Sequence, residues 1–498
     1  MSKEKNQWSS NMSFILAMIG SAVGLGNIWR YPYVLYSNGG GAFYIPYITA
    51  ILVLAVPFLI LEYGVGYNFK SSFAKGITNI KPKLQYFGWF LPIVIFIMTI
   101  YYSIIIGWDG IYFILSFFKG WGANPNAFLT SNVLQSSTDL TSITTFVPVV
   151  AISTIGCWLI VWYISHKNVS SGLSNVSRVF IPLMFLLMII IVGYSLTLPG
   201  AAIGLRELFD PDWSLLGNFS IWLAAFGQIF FSLSLGIGAA FTFASYTGDD
   251  VDLVSSALYV ILGNSLFENF ASLGVFSILG YMSLKAGVPV SEVVTQGTGL
   301  IFVAYPTVFN ILGTIGLIFG PLFFFTVFVS GITSMLSSFE VFSSSVQNKF
   351  NLTRKRAVTI LCIVGCALSM IYATAPGEVL VTVTDEFVNN ISLVISVLIE
   401  CVIFAWLFNM EKLIAFLNAN TRIMKIGKWW TVTVRYIIPI VLIVIWVGGI
   451  YELVTTSTTQ HLIIIFSLTI LALVMSLVFA KLPARTGSWL NAEERIGE

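Results

Sequence analysis

The chain has 498 residues, of which 57% are hydrophobic and 9% are charged, and its formal net charge is +2. A soluble domain carries roughly 25% charged residues, so this composition excludes an ordinary soluble enzyme and gives no basic surface for nucleic acid. Apolar runs of about 20 residues recur along the chain, and each is long enough to cross a hydrocarbon layer roughly 30 Å thick. The sequence therefore predicts an all-α integral membrane protein surrounded by lipid.

Twelve apolar runs are predicted to be transmembrane helices. They lie at about 13–36, 42–66, 87–117, 147–164, 178–198, 219–246, 253–282, 317–345, 357–374, 387–408, 435–454 and 461–480. If the spans alternate in direction, 20 of the 24 Lys and Arg residues fall on one side and three on the other, with Arg30 inside a span. Because cytoplasmic loops are enriched in Lys and Arg, we expect a multi-pass protein of the cell membrane with both termini cytoplasmic.

The first apolar run is interrupted by the sequence SAVGLGNIWRYPY at residues 21–33, in which two glycines precede Asn27 and Arg30. The sixth run has a matching interruption, GQIFFSLSLGIGAAF at 227–241. Since the two runs are five spans apart, helices 1–5 and 6–10 would be two repeats of opposite orientation. Interrupted helices at matching positions of inverted repeats are typical of the substrate site of a secondary transporter. The alternative is that the glycines only allow helices to pack closely.

An unwound segment inside a membrane leaves backbone N–H and C=O groups without helical partners, and these are tolerated where they line a cavity or bind a ligand. Free carbonyl oxygens suit Na⁺, and N–H groups at a helix N-terminus suit a carboxylate. Neutral side-chain oxygens at a similar depth add to this set: Asn27, Ser232, Ser234, Asn264, Thr333 and Ser334. The pattern predicts a site for Na⁺ beside an anionic or zwitterionic solute.

Among the carboxylates that lie within predicted spans, two are considered first. Glu62 is in the second span, where we expect a structural hydrogen-bonding role. Glu268 is one helical turn after Asn264, and a buried carboxylate of this kind is a functional candidate by default.

Several motifs, taken in order, resemble the neurotransmitter:sodium symporter family, and in detail its bacterial amino-acid transporters. These motifs are SAVGLGNIWRYPY (21–33), NGGGAFYIPY (38–47), IYYSIIIGW (100–108), GQIFFSLSLGIG (227–238), Asn264 with Glu268, and SGITS (330–334). The resemblance extends over spans 1–10 and implies twelve helices in a 5+5 inverted repeat, with helices 1 and 6 unwound in mid-membrane. The implied organisation is a cytoplasmic latch (1–12), two five-helix repeats (13–200 and 219–410) around an extracellular loop (201–218), helices 11–12 (411–482) and a cytoplasmic tail (483–498).

The resemblance also implies two sodium sites. The first would use the Ala22 carbonyl, Asn27, Ser232, Asn264 and the substrate carboxylate; the second would use the Gly20 and Val23 carbonyls with Ser330, Thr333 and Ser334. Ser330 contributes mainly through its backbone in relatives. The implied substrate residues are Ala22, Gly24, Gly26, Met98, Tyr102, Ile105, Phe231, Ser232, Ser234, Gly236, Ile237, Ser334, Met335 and Ser338.

Gly24 carries information on the substrate, because monoamine carriers of this family have Asp at that position. Glycine leaves room for a substrate carboxylate beside the first Na⁺, which favours amino acids over monoamines. The pocket residues are mostly apolar and uncharged, so a neutral, hydrophobic amino acid is expected.

Glu268 stands where chloride-dependent relatives have Ser and bind Cl⁻ with the equivalents of Tyr47, Gln228 and Ser232. The carboxylate would supply the negative charge itself, so no chloride requirement is expected. Burial favours the protonated acid and a nearby Na⁺ favours the carboxylate, which makes proton counter-transport an expectation. A purely structural Glu268 is the alternative.

Two gates are also implied. At the outer gate Arg30 would pair with Asp385 above Phe231, the aromatic lid, when the site is occluded; the alternative is a static pair. At the inner gate Lys5 and Trp8 match an N-terminal latch anchored by Tyr246. The usual acidic partner of Lys5 is replaced by Asn348, so Glu340 or the acidic cluster Asp249, Asp250 and Asp252 is expected instead.

The sequence therefore predicts a Na⁺-coupled importer of neutral amino acids that works by alternating access. A non-transporting receptor on the same scaffold is the main alternative. A channel is disfavoured because no repeated charge rings appear, and an enzyme because His, Cys and carboxylates form no catalytic cluster. The sequence is compatible with a homodimer but does not decide the oligomeric state.

Overall fold

The computed structural model describes residues 7–294, 297–487 and 489–490. Within these ranges the chain is helical and has no β-strand; an isolated antiparallel bridge joins Phe146 to Thr374. The helices up to residue 209 are α1 (Asn11–Ala22), α2 (Leu25–Trp29), α3 (Tyr31–Ser37), α4 (Tyr44–Ala50), α5 (Val56–Phe69), α6 (Phe73–Ile80), α7 (Gln85–Ser116), α8 (Pro125–Phe128), α9 (Pro148–Ser165), α10 (Leu173–Ser195) and α11 (Ala201–Phe209).

The second half of the chain continues the helical pattern. Its helices are α12 (Phe219–Ser232), α13 (Ala239–Ala244), α14 (Leu253–Ala286), α15 (Val290–Val293), α16 (Tyr305–Ile311), α17 (Gly316–Phe350), α18 (Arg354–Ser369), α19 (Gly377–Glu386), α20 (Val394–Val402), α21 (Met410–Asn420), α22 (Lys428–Val432), α23 (Ile438–Thr456) and α24 (Thr459–Lys481). Short π-helical or 3-10 segments join several of them, so that Gly377–Leu407 is one long apolar helix.

In the described part of the chain, nine helices are long and apolar enough to cross a membrane. There are ten if α1 and the segment Leu25–Ser37, which meet at a bend of 57°, form one span. Two further predicted spans, the sixth and the seventh, are helical but are not among these apolar helices. The sixth is divided into α12 and α13, and the seventh is the continuous α14, which carries Asn264, Glu268 and Asn269 in its middle. The predicted total of twelve therefore depends on these two elements and stays a prediction.

The helices form a buried centre and an outer layer. The most apolar part of Pro82–Ser116 is 78% buried, whereas that of Lys428–Thr456 is 22% buried and that of Thr459–Lys481 is 17% buried. Exposed apolar side chains such as Ile463, Ile470 and Leu477 lie on α24. An outer surface of this composition is stable in hydrocarbon rather than in water.

The broken helix α1–α2 lies near the centre of this arrangement. Helix α1 packs against α10, α14 and α17, and α7 packs along α17. These neighbours surround the unwound residues of the first span with buried side chains, so the freed backbone groups meet protein and an internal cavity.

Candidate functional site

The first helix break is at Val23 and Gly24, between the end of α1 at Ala22 and the start of α2 at Leu25. The side chain of Asn27 accepts a hydrogen bond from the Gly24 N–H at 2.9 Å and so caps α2. A Cβ atom at Gly24 would lie 3.1 Å from Ser334 Oγ and 3.4 Å from the Tyr102 hydroxyl oxygen. A side chain at this position would therefore press against Ser334, because two polar side chains approach the Gly24 backbone closely.

The second break extends over residues 233–238, between α12 and α13. Ser234 has a φ of +50°, and Gly236 and Gly238 have φ of +66° and +74°. Only glycine adopts this left-handed region without strain, which explains the Gly-x-Gly pair. The Gly236 N–H donates to Glu62 Oε2 at 3.2 Å, so a carboxylate on α5 binds a backbone group that the break has freed.

A buried polar cluster joins the first break to α12 and α14. Asn27 Nδ2 donates to Asn264 Oδ1 at 2.9 Å and to Glu268 Oε2 at 3.1 Å. Asn264 Nδ2 donates to Ser232 Oγ at 3.0 Å, and Gln228 Nε2 donates to Glu268 Oε2 at 3.3 Å. The three side chains that the sequence assigns to the first sodium site are thus in one connected network.

Glu268 is the acidic member of this cluster and is fully buried. Its other oxygen, Oε1, accepts from the Tyr47 hydroxyl. Its side-chain hydrogen-bond donors are the neutral groups of Asn27, Gln228 and Tyr47, and no Lys, Arg or His of the described residues lies within 4.0 Å of it. A buried carboxylate with neutral donors gains stability from a nearby cation, because neutral donors compensate only part of its lost hydration.

The residues assigned to the second sodium site also meet, between α1 and α17. Ser330 Oγ donates to the Val23 carbonyl at 3.2 Å, and Ser334 Oγ lies 3.3 Å from the Gly20 carbonyl and 3.5 Å from that of Val23. Thr333 faces the same stretch, since a Cβ atom at Gly20 would lie 3.3 Å from Thr333 Cβ. The Ser330 side chain takes part here, although relatives are expected to use mainly the backbone at this position.

A cavity of about 190 Å³ lies between the two breaks. Apart from Arg30 and Asp385, the side chains that line it are uncharged. The lining residues are Ser21, Ala22, Gly24, Leu25, Gly26, Asn27, Arg30, Met98, Tyr101, Tyr102, Gln228, Phe230, Phe231, Ser232, Ser234, Ile237, Ser334, Ser338, Asp385, Asn389 and Leu393. Eleven of the fourteen residues that the family resemblance assigns to the substrate are in this set.

Three other positions assigned to the pocket do not line the cavity. Gly236 packs under Val397, whose Cγ2 would be 2.1 Å from an added Cβ, and Ile105 and Met335 are buried away from the lining. The Gly236 N–H instead donates to Glu62 Oε2. Conversely, Tyr101, Phe230 and Asn389 line the cavity without having been assigned to it.

The outer-gate residues surround the cavity without forming the expected pair. The Arg30 guanidinium lies 4.6 Å from the centre of the Phe231 ring, a cation–π contact. Asp385 instead accepts a hydrogen bond from the Tyr101 hydroxyl at 2.7 Å. Arg30 and Asp385 are not within 4.0 Å of each other, so the ion pair between them is absent in this structure.

The N-terminal segment packs against the end of α13 and the residues that follow it. Trp8 Nε1 donates to the Phe243 carbonyl at 2.8 Å, and the Trp8 N–H donates to the Tyr246 carbonyl at 3.0 Å. Trp8 and Tyr246 are thus in contact, as the latch motif suggests. Lys5 lies outside the described residues.

Glu340 forms an ion pair with Arg354, a residue that the motifs do not indicate. Arg354 binds it with two hydrogen bonds, of 2.6 and 2.8 Å, and the Tyr246 hydroxyl donates to it at 2.7 Å. Arg354 is thus the cationic partner of Glu340 within the described residues, and the expected contact of Lys5 with Glu340 or the acidic cluster stays a prediction. Asn348 accepts from the Ser72 N–H at 3.3 Å, and Asp252 caps α14 through the Ser255 N–H at 2.9 Å. The available signal for this pair was Glu340 itself, a carboxylate inside a predicted span.

Comparison with known proteins shows which family this chain belongs to. The model of the sodium:neurotransmitter symporter family matches residues 5–148 and 123–484. An uncharacterized sodium-dependent transporter of Methanocaldococcus jannaschii is 39% identical over 88% of this chain and 89% of its own length. A creatine transporter of Torpedo marmorata is 30% identical over 81% of this chain and 72% of its own. A mouse sodium- and chloride-dependent creatine transporter is 29% identical over 82% and 71%. With two broken helices facing one cavity and these matches over most of its length, the chain belongs to the sodium:neurotransmitter symporter family.

Proposed function

We propose that this protein is a Na⁺-coupled symporter that imports neutral, hydrophobic amino acids by alternating access, without a need for chloride. The observation that carries the proposal is that both helix breaks contribute lining residues to one small cavity. Cavities for drug-sized ligands usually measure ~300–1,000 Å³. A cavity of about 190 Å³ therefore suits a solute of amino-acid size.

The substrate carboxylate is proposed to lie beside Gly24. At this position the α2 N-terminus presents N–H groups, and the Tyr102 hydroxyl is next to Gly24. No acidic side chain is present in the break, so a substrate that brings its own carboxylate completes the negative charge near the first Na⁺. Creatine and GABA, which the names of several relatives mention, are also zwitterions with a carboxylate. The apolar lining from Met98, Phe231 and Ile237 favours a neutral, hydrophobic side chain.

Two Na⁺ ions are proposed to bind next to the substrate. The first would be bound by the Ala22 carbonyl, Asn27, Ser232 and Asn264, which are all in or next to the polar cluster. The second would be bound by the carbonyls and hydroxyls of Gly20, Val23, Ser330, Thr333 and Ser334. These oxygen ligands suit a hard cation, and they would replace the hydrogen bonds that the hydroxyls now make. One Na⁺ that crosses 100 mV releases about 2.3 kcal/mol, and a tenfold gradient adds about 1.4 kcal/mol.

Glu268 is proposed to replace chloride. Its carboxylate is bound by Tyr47, Gln228 and Asn27, next to the first sodium site. Several relatives are named sodium- and chloride-dependent, so chloride independence would distinguish this chain from them. Proton counter-transport through Glu268 stays a prediction for the vesicle assay described below.

The proposed arrangement in the membrane has twelve spans, with α12–α13 and α14 added to the ten apolar segments, and both termini cytoplasmic. In that arrangement Arg30 and Asp385 are on the outer side, where they are not paired, and the Trp8 latch and the Arg354–Glu340 pair close the inner side. An unpaired outer gate is proposed to leave the site accessible from the outside. Pairing of Arg30 with Asp385 would follow substrate binding.

The experiment that tests the proposal is uptake of each of the twenty amino acids into proteoliposomes that contain the full chain. An inward Na⁺ gradient is compared with choline, and Cl⁻ is compared with gluconate. We expect Na⁺-dependent uptake of neutral amino acids that is unchanged in gluconate. Substrate binding with Na⁺ but without flux would instead identify a receptor, and uptake that is equal in choline would exclude Na⁺ coupling.

A further inference from the structure

A second large cavity is an apolar groove of about 480 Å³ on the outer surface, between α9 and α18. It shares no lining residue with the central cavity. Its walls are one stripe from each helix: Ile155, Trp158, Leu159 and Trp162 from α9, and Thr359, Cys362, Ile363, Cys366, Ala367 and Met370 from the segment that begins with α18. The groove is therefore a feature of the lipid-facing surface and not of the transport site.

The groove has a rigid floor. The Trp158 ring lies against Gly365, where an added Cβ would be 2.3 Å from the ring, and Trp158 Nε1 donates to Ser103 Oγ at 3.1 Å and to Ser369 Oγ at 3.0 Å. The edges are exposed, with Ile363 at 65%. The floor is thus fixed by buried hydrogen bonds, while the apolar edges stay open to the surroundings.

The length of the groove fits one acyl chain. The lining from Thr359 to Met370 extends for eleven residues of helix, or ~16 Å at 1.5 Å per residue. One leaflet of a bilayer has roughly half of the 30 Å hydrocarbon thickness. A single fatty-acyl chain from one leaflet would therefore fill the groove from end to end.

Cationic side chains surround one end of the groove. Lys355 and Arg356 precede Thr359 by four and three residues, so they continue the same face of the helix by one turn. Lys167, just after the end of α9, lies 4.0 Å from the ring of Tyr163. Across the described ranges these three cations make no ion pair within 4.0 Å, and the segments 163–178 and 349–377 contain no Asp or Glu.

We propose that the groove is a binding site for an anionic glycerophospholipid of the cytoplasmic leaflet. One acyl chain occupies the groove, and the phosphate of the headgroup is bound by Lys355 and Arg356. Basic pockets between helices on the cytoplasmic side of a membrane recognise anionic headgroups in this way. The proposal rests on the proposed topology, which places this end of α18 in the cytoplasm, and is independent of the transported substrate.

The test is retention of lipid by the purified full chain, measured by native mass spectrometry with phosphatidylglycerol and phosphatidylcholine of identical acyl chains. Each cation near an anionic headgroup contributes roughly fivefold, so we expect a preference of roughly thirtyfold for phosphatidylglycerol. The double variant Lys355→Gln/Arg356→Gln should retain the two lipids equally. The matched control Lys81→Gln/Lys83→Gln removes two exposed cytoplasmic cations elsewhere and should keep the preference.

A second variant tests the apolar part of the site. Ala367→Trp fills the groove from an exposed position and should lower retention of both lipids. The proposal is overturned if the wild-type chain shows no headgroup preference, if the control variant loses it equally, or if Ala367→Trp changes nothing. Displacement of the lipid by inorganic phosphate alone, or a lipid-free dimer that Ala367→Trp dissociates, would also overturn it.

Discussion

Replacement of Gly24 by Ala tests whether close packing at the first break supports ion and substrate binding. The new Cβ would lie 3.4 Å from the Tyr102 hydroxyl oxygen, which is an ordinary van der Waals contact. It would lie 3.1 Å from Ser334 Oγ, which is closer than such a contact. To make room, Ser334 Oγ, which now lies 3.3 and 3.5 Å from the Gly20 and Val23 carbonyls, must give way by a few tenths of an ångström, and this disturbs its contacts with them.

The size of the effect follows from this contact. Added methyl groups in a well-packed site destabilise it by about 1–3 kcal/mol, which corresponds to roughly a 5- to 150-fold change in an equilibrium constant. In our proposal Ser334 binds the second Na⁺ and Tyr102 lies beside the substrate carboxylate. We therefore expect Gly24→Ala to weaken Na⁺-dependent substrate binding by that factor. The melting temperature without Na⁺ should change much less.

The assay is equilibrium binding of the substrate at a series of Na⁺ concentrations, with melting curves of the same samples. Gly193→Ala is the matched control, since Gly193 is an exposed residue of α10 whose added Cβ would meet nothing within 4 Å. Alanine in an exposed helix is neutral or stabilising by up to about 1 kcal/mol. Unchanged binding in Gly24→Ala, or equal losses in both variants, would refute the reasoning.

Three further predictions concern other parts of the site. Glu268→Ser should make uptake dependent on chloride; if the variant takes up substrate equally well in gluconate, the proposed role of this carboxylate is contradicted. In the wild-type protein, Na⁺-driven uptake should make the vesicle lumen more alkaline, because protons would leave as substrate enters. Thr333→Val should raise the Na⁺ concentration needed for half-maximal uptake, whereas Thr326→Val, a buried change two turns away on α17, should not; equal shifts would indicate a general packing effect. Glu340→Gln should lower the free energy of unfolding by about 3–5 kcal/mol because it leaves the buried Arg354 without its ion partner. The double variant Arg354→Met/Glu340→Leu should recover part of that loss. Thermal unfolding in detergent measures both, and a larger loss in the double variant would contradict this prediction.

The sequence predicted helices that cross a membrane because a bilayer leaves a chain few other structures. Backbone polar groups must be paired within each span, so long apolar runs are helical whatever their neighbours are. The same constraint made the glycine interruptions informative: the breaks at Val23–Gly24 and at 233–238 are in the structure where the Gly-x-Gly pairs indicated them.

The sequence alone thus determined the helical membrane class, the two breaks and most of the residues around the central cavity. Only the tertiary structure decided which side chains are partners: Arg354 binds Glu340, Tyr101 binds Asp385 while Arg30 stays on Phe231, and Gly236 turns away from the cavity. The physical reason is that a helix break is set by a few neighbouring residues, whereas an ion pair or hydrogen bond between helices depends on where distant parts of the chain pack against each other.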